Sequence, residues 1–567
     1  MKTQKHRLFR FVFRLLPANV VKNQYNNASW PFFCNFADRF QHSSAMTKYP
    51  IGIQNFQKLR ESGFLYVDKT AFVYQLVSTE GYYFLSRPRR FGKSLLLSTL
   101  EAYFQGKKEL FKGLAIEPLE KDWKVYPVLH LDLNAAKYTD AEALVSILDG
   151  HFRFFEETYG STPNGLSLSE RFKVIIRRAC EQTGQKVVIL VDEYDKPLLQ
   201  AIGNKELQDE YRAMLKSVYG VAKTMDSYIQ FAFFTGVTKF SKVSIFSDLN
   251  NLKDISLDAR FVAACGITEK EIHDYLDDEV GQMAEANGID KNACYERLKK
   301  EYDGYHFREN SIGVYNPFSL INALDSHDFK DFWFETGTPT FLVETLKQNN
   351  YELENMTREE VTADLLGSLD SIDTNPLPLL YQSGYLTIKS YDPDFGTYQL
   401  GFPNGEVERG FSRFLFRYYA PIRIEQSASF IKNFVLEIRN GQPEKFMSRL
   451  DSMFADQHYQ IAGDAELYFH NVVYVVFKML GFYVDVERHT SDGRMDMLVQ
   501  TKDYIYIFEF KIDKSVDEAL KQIEEKQYAK PFETDARKLY KIGVNFSSAT
   551  RRIEEWKMIP RPLLKQQ

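Results

Sequence analysis

Gly92, Lys93 and Ser94 are the first residues whose types and order suggest chemistry, because together they could bind the phosphates of a nucleotide. They follow an apolar run and a short polar loop, and they open a Leu-rich helical pattern. In such a strand–loop–helix the N–H groups at the helix start surround the phosphates, the Lys reaches the terminal phosphates and the Ser holds magnesium. The sequence therefore predicts a phosphate-binding loop, which also includes Arg90 and Phe91.

This loop departs from the pattern GxxxxGK[ST], since Arg87 stands where the first Gly is expected. A bare Gly-Lys-Ser is usually an ordinary helix start, so a second signal is needed. The segment 186–195 (KVVILVDEYD) supplies it, as an apolar run that ends in Asp192 and Glu193 is typical of a buried parallel strand beside a nucleotide crevice. We expect Asp192 to hold magnesium through water and Glu193 to polarise the attacking water.

A second set of chemical residues lies near the C-terminus. In the strand pattern at 504–512 (YIYIFEFKI), Glu509 and Lys511 share one face by the two-residue period, and Asp496 lies on the preceding hairpin strand. Two carboxylates can hold Mg²⁺ and a lysine can orient or deprotonate water, which is the set that phosphodiester cleavage needs. Glu466, on the preceding helical pattern, could complete the ion's ligands.

The pair Glu-x-Lys alone is usually an ordinary strand-end pair, and Asp496 is the residue that favours a nuclease-type site. On the helical pattern at 519–528, Gln522 and Tyr528 are candidates to face the same site. An ordinary helix surface is the open alternative for these two residues.

The elements around the phosphate loop alternate between strand and helix. Strand patterns occur at 125–133 and 228–235, with helical patterns near 140–157, 166–182 and 205–222. This alternation predicts an α/β fold in which helices flank a parallel sheet. Thr235, at the end of the strand expected beside Asp192, is a candidate sensor of the terminal phosphate, and a turn-capping threonine is the alternative.

Residues 265–420 have mostly helical patterns. Thr268, with Glu271 three residues later, predicts a capped helix start. The segment 379–388 (LLYQSGYLTI) predicts a helix, a glycine and a strand, an order typical of a small winged-helix-like unit. Such units bind DNA in some proteins and only pack against an ATPase core in others.

Composition excludes several classes of protein. The 567 residues are too many for one core, and 44% hydrophobic residues exclude a mainly disordered chain. The four cysteines form no CxxC pair, which argues against a zinc site or a disulfide framework and fits a cytoplasmic protein. The sequence contains no run of about 18 uncharged apolar residues, so no membrane span is predicted.

The first 45 residues form a basic leader. They hold seven Lys/Arg and one Asp, so their net charge is +6. The whole chain has a net charge of −6, so the remainder carries −12. We expect this leader to lie outside the fold, with Met46 as the natural start. Because the remainder is acidic, contact with nucleic acid would require a local basic patch.

An ordered set of motifs resembles a known family, the prokaryotic AAA-ATPase-like proteins that carry a C-terminal PD-(D/E)xK nuclease-superfamily domain. The motifs are YVDKT at 66–70, RPRRFGKSLLLSTL at 87–100, LVDEYDKPL at 190–198, TGVTKFSKVSIFSDLNNL at 235–252, YDGYHF at 302–307, GRMDM at 493–497 and FEFKID at 508–513. The resemblance covers Tyr49 to about Gly543. It implies an ATP-binding P-loop domain at 46–264, a helical lid with a winged-helix-like part at 265–423, and a restriction-endonuclease-like α/β domain at 424–567.

The resemblance also implies that Asp496, Glu509 and Lys511 match the superfamily's catalytic positions and that Arg87 is normal for the family. The expected function is an Mg²⁺-dependent nuclease gated by ATP, with nucleic acid as partner (DNA favoured over RNA) and with homo-oligomers possible for such P-loop domains. A role in defence or mobile elements is only an association of the family. The alternatives are a nucleotide-dependent switch or scaffold that does not cut, and a slow ATPase with no nucleic-acid role.

Overall fold

The computed structural model describes residues 47–567, apart from 80, 136, 240–244, 247–248, 250, 335–339, 368–374, 421–426, 456–464, 492–493 and 562–567. Some side chains inside helices and strands also fall outside this description, including those of 487–491 and 494–496. The leader at 1–45 and Met46 lie outside the described residues.

A five-stranded sheet organises the N-terminal region. Its strands are β1 (Gly81–Ser86), β2 (Val128–Asp132), β3 (Val187–Asp192), β4 (Ile229–Gly236) and β5 (Leu252–Asp254). The helices of this region are α1 (Phe56–Glu61), α2 (Thr70–Val77), α3 (Lys93–Phe104), α4 (Ala141–Tyr159), α5 (Leu168–Thr183), α6 (Lys196–Gln200), α7 (Lys205–Tyr219) and α8 (Val221–Thr224).

The sheet order is β2-β3-β4-β1-β5, and every pair is parallel. The predicted parallel sheet with flanking helices is therefore confirmed. β4 lies between β1 and β3, so the loop after β1 and the carboxylates after β3 reach the same edge of the sheet. Every residue of β3 is buried, as its apolar run predicts.

Local capping explains where the flanking helices begin. Asp140 caps α4 by accepting from Ala143 N at 3.0 Å. Ser167 and Glu170 form a reciprocal capping box at the start of α5. Such caps satisfy N–H groups that have no partner within the helix, and they fix the helix starts that pack against the sheet.

The central region is mostly helical. Its helices are α9 (Glu269–Tyr275), α10 (Asp277–Asn287), α11 (Lys291–Tyr302), α12 (Pro317–Ser326), α13 (Thr340–Gln348), α14 (Ala363–Leu366), α15 (Leu377–Gln382) and α16 (Gly405–Tyr419), with strands β6 (Glu360–Thr362), β7 (Thr387–Asp392) and β8 (Thr397–Gly401). The capping box of Thr268 and Glu271 is confirmed at the start of α9. The predicted helix–glycine–strand order is confirmed as α15, Gly384 and β7, and β7 continues into an antiparallel sheet ordered β6-β8-β7.

The C-terminal region is a second α/β unit. It contains α17 (Ser427–Arg439), α18 (Pro443–Ala455), α19 (Ala465–Gly481), α20 (Val516–Glu525), β9 (Asp485–Ser491), β10 (Arg494–Gln500), β11 (Tyr504–Ile512), β12 (Lys538–Ser547) and β13 (Arg552–Pro560). The sheet order is β13-β12-β11-β10-β9, in which β11 and β12 are parallel and the other pairs antiparallel. α20 is the crossover between the two parallel strands, so the predicted C-terminal α/β fold is confirmed.

The two faces of this second sheet carry different helices. On one face, Phe477 of α19 packs on Phe508 and Phe510, with ring centroids 5.2 and 6.0 Å apart. On the other face, α20 packs on a cluster of apolar residues from β10, β11 and β12. Gly543 allows this close approach, because an added Cβ would lie 2.8 Å from Val516 O.

Residues Tyr49–Gln567 form one compact unit. One continuous cluster of buried apolar side chains runs from the first sheet to the second, so the two α/β regions share a core. Among the described residues, no helix has both the length and the apolar character needed to cross a membrane.

Candidate functional site

The phosphate loop lies between β1 and α3, and two of its residues are left-handed. Gly92 caps α3 with φ 90°, and Arg90 has φ 69°. An added Cβ at Gly92 would meet nothing within 4 Å, so the backbone conformation, and not lack of space, favours glycine there. Loop conformations of this kind turn successive N–H groups toward one point, where an anion can bind.

Arg87 occupies the position of the missing first glycine, and its side chain is 2% exposed. The guanidinium donates to Ser256 O at 2.8 Å and to Phe261 O at 3.2 Å, and it lies 4.0 Å from the centre of the Phe307 ring. The backbone of Arg87 does not have a positive φ. The position therefore does not need glycine, and the arginine anchors the base of the loop to its surroundings.

Lys93 lies at the first turn of α3 and is 4% exposed. Its Nζ donates to two carbonyls of the loop itself, Arg87 O at 3.0 Å and Pro88 O at 3.2 Å. The ammonium is therefore held at the loop, at the start of α3. Ser94 follows it and is half-buried in the wall of the adjoining cleft.

The two predicted carboxylates follow β3. Asp192 is 6% exposed, and its Oδ1 accepts from Thr235 Oγ1 and from Glu193 N at 3.1 Å. Glu193 has φ 52°, an uncommon conformation for a residue other than glycine, and its side chain lines the cleft. Thr235 is fully buried, and its hydroxyl contacts the site by donating to Asp192. Val237, two residues later, lines the cleft.

Asp195 is a buried residue of this region that no sequence motif predicts as part of the site. Its carboxylate accepts from Thr238 N at 2.6 Å, from Thr238 Oγ1 and from Val237 N at 3.3 Å. Burial, and then the charge of Glu193, raise the pKa of Asp195 to about 6. The residue ties the turn after β3 to the turn after β4. Its place in the DEYD sequence was the available signal.

A cleft of about 470 Å³ opens beside the loop. The loop and the carboxylate turn form one part of its wall, and the chain before α1 and the helical region form the rest. Arg90 spans this boundary, with its guanidinium 4.9 Å from the centre of the Phe318 ring of α12. The lining residues outside the motifs include Pro50, Ile53, Gln54, Asn134, Ile321, Asn322, Trp333 and Tyr385.

The second site lies on the face of the C-terminal sheet that α20 covers. Glu509 is 0% exposed and Lys511 is 6% exposed. Lys511 Nζ donates to Glu509 Oε1 and to Gln522 Oε1, the latter at 2.8 Å. The predicted shared face of Glu509 and Lys511 is therefore present, and Gln522 from α20 joins them. Tyr528 packs beside the apolar cluster beneath α20.

The other two predicted residues of this site are placed less fully. Asp496 pairs directly with Glu509 in the backbone register of β10 and β11, and its side chain lies outside the described part of the structure. Glu466 is exposed in the first turn of α19, the helix that packs on the opposite face of the sheet. Their contributions to a metal site stay predictions.

One feature of the second site fits a metal ion. Glu509 Oε2 is buried and accepts no hydrogen bond from any described residue, which leaves a carboxylate oxygen as a possible ligand. Within the described side chains, no three His, Cys, Asp or Glu residues are grouped closely enough to hold a metal. The side chains of 487–496, among them that of Asp496, lie outside this description.

Two segments of the chain match known families. Residues 50–246 match a family described as "Predicted AAA-ATPase", and residues 464–556 match the PD-(D/E)XK nuclease superfamily. The "Uncharacterized protein in vnfD 5'region" of Azotobacter chroococcum mcd 1 is 36% identical over 521 residues, which cover 89% of this chain and 98% of that protein. The similarity to this relative therefore spans both candidate sites.

Two solved structures also show similarity. The Aeropyrum pernix ORC2 protein, in ADPNP and ADP complexes, is 12% identical, with 59% of this chain and 87% of that chain covered and a TM-score of 0.22. The Drosophila ORC bound to GC-rich DNA and Cdc6 is 7% identical, with 80% and 64% covered and a TM-score of 0.20. These scores are low, so the description of the fold rests on the sheet topology of this chain.

Proposed function

Because this chain belongs to the AAA-ATPase-like proteins with a C-terminal PD-(D/E)XK nuclease superfamily domain, we propose that it is an ATP-binding, Mg²⁺-dependent nuclease whose cleavage depends on the nucleotide state. The observation that carries this proposal is the buried group of Glu509, Lys511 and Gln522 opposite Asp496. A binding module has no chemical need for a lysine and two carboxylate positions converging on one sheet face.

In cleavage, Glu509 and Asp496 are the residues that would hold the ion, because directly opposed residues of an antiparallel pair lie on the same face of the sheet. A bound divalent ion would neutralise charge that develops on the phosphate. Lys511 lies two residues beyond Glu509 and orients or deprotonates the attacking water. Gln522 accepts a hydrogen bond from Lys511 and so fixes the direction of its ammonium.

ATP binding is proposed at the cleft beside Gly92. The phosphates would lie at the helix start, Lys93 would transfer its hydrogen bonds from the loop carbonyls to phosphate oxygens, and Ser94 with Asp192 would hold magnesium. Glu193 is proposed to polarise the attacking water. The apolar wall at 50–53 and α12 offers a surface for the base.

The test is cleavage of single-stranded, duplex and branched DNA and of RNA by the full chain with Mg²⁺, with and without ATP. Lys511→Ala is compared with Lys521→Ala, a matched lysine on α20 whose side chain is 72% exposed. We expect cleavage, with DNA preferred, that ATP alters, that Lys511→Ala loses by about 10²- to 10⁴-fold, and that Lys521→Ala retains.

Each other outcome has a definite meaning. Cleavage that persists in Lys511→Ala excludes the assigned site. ATP binding without cleavage of any substrate supports the switch or scaffold instead. Cleavage that is indifferent to ATP removes the nucleotide dependence and keeps the nuclease.

A further inference from the structure

Trp333 contacts both the phosphate loop and the first turn of α16. Its indole Nε1 donates to Arg89 O at 3.2 Å, and its backbone N donates to Glu406 Oε1 at 2.6 Å. The side chain is buried and packs on Tyr385, with ring centroids 5.0 Å apart. Trp333 therefore bridges a carbonyl of the loop and a carboxyl group of the helix.

The carbonyl that Trp333 holds is one of three in succession. Arg87 O and Pro88 O accept from Lys93 Nζ, and Arg89 O accepts from Trp333 Nε1. When Lys93 turns to a phosphate, it releases the first two carbonyls. The loop can then shift, but its third carbonyl, Arg89 O, stays bonded to the Trp333 indole, so the shift would move Trp333.

Glu406 receives the other end of the bridge. The residue is 0% exposed, and burial raises its pKa to about 8. At neutral pH the carboxyl is therefore protonated and serves as a neutral hydrogen-bonding group, not as a buried charge. A movement of Trp333 thus reaches α16 through a hydrogen bond inside the core, where side chains are closely packed.

α16 contacts the C-terminal region through α19. Lys478 of α19 pairs with Glu408 of α16 at 2.5 Å. The same helix α19 packs through Phe477 on Phe508 and Phe510, the neighbours of Glu509 on β11. The contacts are therefore continuous from the phosphate loop to the strand that carries Glu509 and Lys511.

We propose that Trp333 is a positioning residue through which the nucleotide state of the phosphate loop changes the conformation of α19 and β11. This inference rests on the proposed binding of ATP and identifies the route by which ATP controls the second site. The test measures the coupling between the phosphate loop and these two elements directly.

The test is hydrogen exchange of backbone amides at 465–481 and 504–512, with and without a non-hydrolysable ATP analogue and Mg²⁺. Trp333→Phe removes the Nε1–H and keeps an aromatic ring. Trp123→Phe is the matched control, because Trp123 Nε1 has no hydrogen-bond partner among the described residues. The affinity for the analogue is measured for each variant.

We expect the analogue to change exchange at both segments in the wild type and in Trp123→Phe. In Trp333→Phe the response should fall at least about fivefold, while affinity falls by no more than about tenfold, the effect of one neutral hydrogen bond. An undiminished response in Trp333→Phe overturns the inference. A wild type that binds the analogue without a response at α19 and β11 also overturns it.

A second pair of variants separates a positioning role from loss of structure. Glu406→Gln keeps an oxygen acceptor for Trp333 N and should retain the response, whereas Glu406→Leu should lose it with the analogue still bound. Loss in Glu406→Gln contradicts the route. A wild type that responds to the analogue but cuts no nucleic acid contradicts the proposed cleavage and leaves the role of Trp333 standing.

Discussion

The two candidate sites differ in how their residues are brought together. The cleft beside the phosphate loop collects residues from the chain before α1, the loop itself, the end of β3 and the helical region. The second site takes Glu509, Lys511 and Gln522 from one strand and the next helix. The first site therefore depends on the packing of distant segments, and the second depends mainly on one local unit.

They also differ in the partners of their buried lysines. Beside the cleft, Lys93 is 4% exposed and is held by two carbonyls, which bear no full charge. In the second site, Glu509 and Lys511 form a buried ion pair. Removing one partner of a buried ion pair is costly because it leaves an unpaired charge, whereas removing Lys93 leaves only neutral carbonyls behind. Removal of a lysine should thus mainly lower stability at the second site and mainly weaken nucleotide binding at the first.

The largest expected effect is on stability at the second site. Lys511→Ala leaves Glu509 buried without its partner and should lower the free energy of unfolding by about 3–5 kcal/mol. The double variant Glu509→Gln, Lys511→Met should recover much of this loss, since no unpaired charge remains. Urea unfolding measures both, and equal stabilities of Lys511→Ala and wild type would show that the pair is not closed in solution.

Next comes a pH effect at the first site. Because the pKa of Asp195 is raised to about 6, the folded state keeps a proton that the unfolded state releases near its ordinary value of 3.8. This contribution to stability is full below that lower value and is lost as the pH rises to about 6. We expect wild type to lose about 3 kcal/mol relative to Asp195→Asn across this window. Unfolding titrations at several pH values measure the difference, and parallel profiles would refute it.

A smaller effect is expected on nucleotide affinity. Lys93→Ala removes the ammonium that would reach the phosphates and should weaken ATP binding by about 10- to 100-fold. Its stability should change little, in contrast to Lys511→Ala. Calorimetric titration with ATP measures the affinity, with the exposed Lys112→Ala as control. An unchanged affinity would remove Lys93 from the site.

The smallest expected effect concerns the seating of α20. Gly543→Ala places a Cβ 2.8 Å from Val516 O and 3.1 Å from Ala519 Cβ, so the helix that carries Gln522 must shift. We expect a loss of about 1–2 kcal/mol in stability, together with reduced cleavage. Gly150→Ala, where an added Cβ meets nothing within 4 Å, should not destabilise the protein. If the two variants unfold alike, α20 does not depend on this close approach.

Much of this protein follows from local sequence. The apolar runs and the residues after them predict β1, β3, β4 and β11, because a buried strand needs apolar side chains on both faces and polar groups appear where it leaves the core. The helix caps at Thr268 and Gly92 follow from short-range chemistry. The two-residue period sets Glu509 beside Lys511 on one face, and the contact between them is present.

The tertiary structure determined which side chains from distant segments of the chain meet. Arg87 reads as a defect in the phosphate motif, and only its buried bonds to Ser256 and Phe261 explain why the position takes an arginine. Thr235 is directed to Asp192 because β4 lies beside β3 in the sheet. Trp333 has no motif, and its contacts with Arg89 and Glu406 arise only when the helical region packs on the loop. Periodicity and capping act over a few residues, so they determine elements, whereas the packing between elements determines which side chains meet.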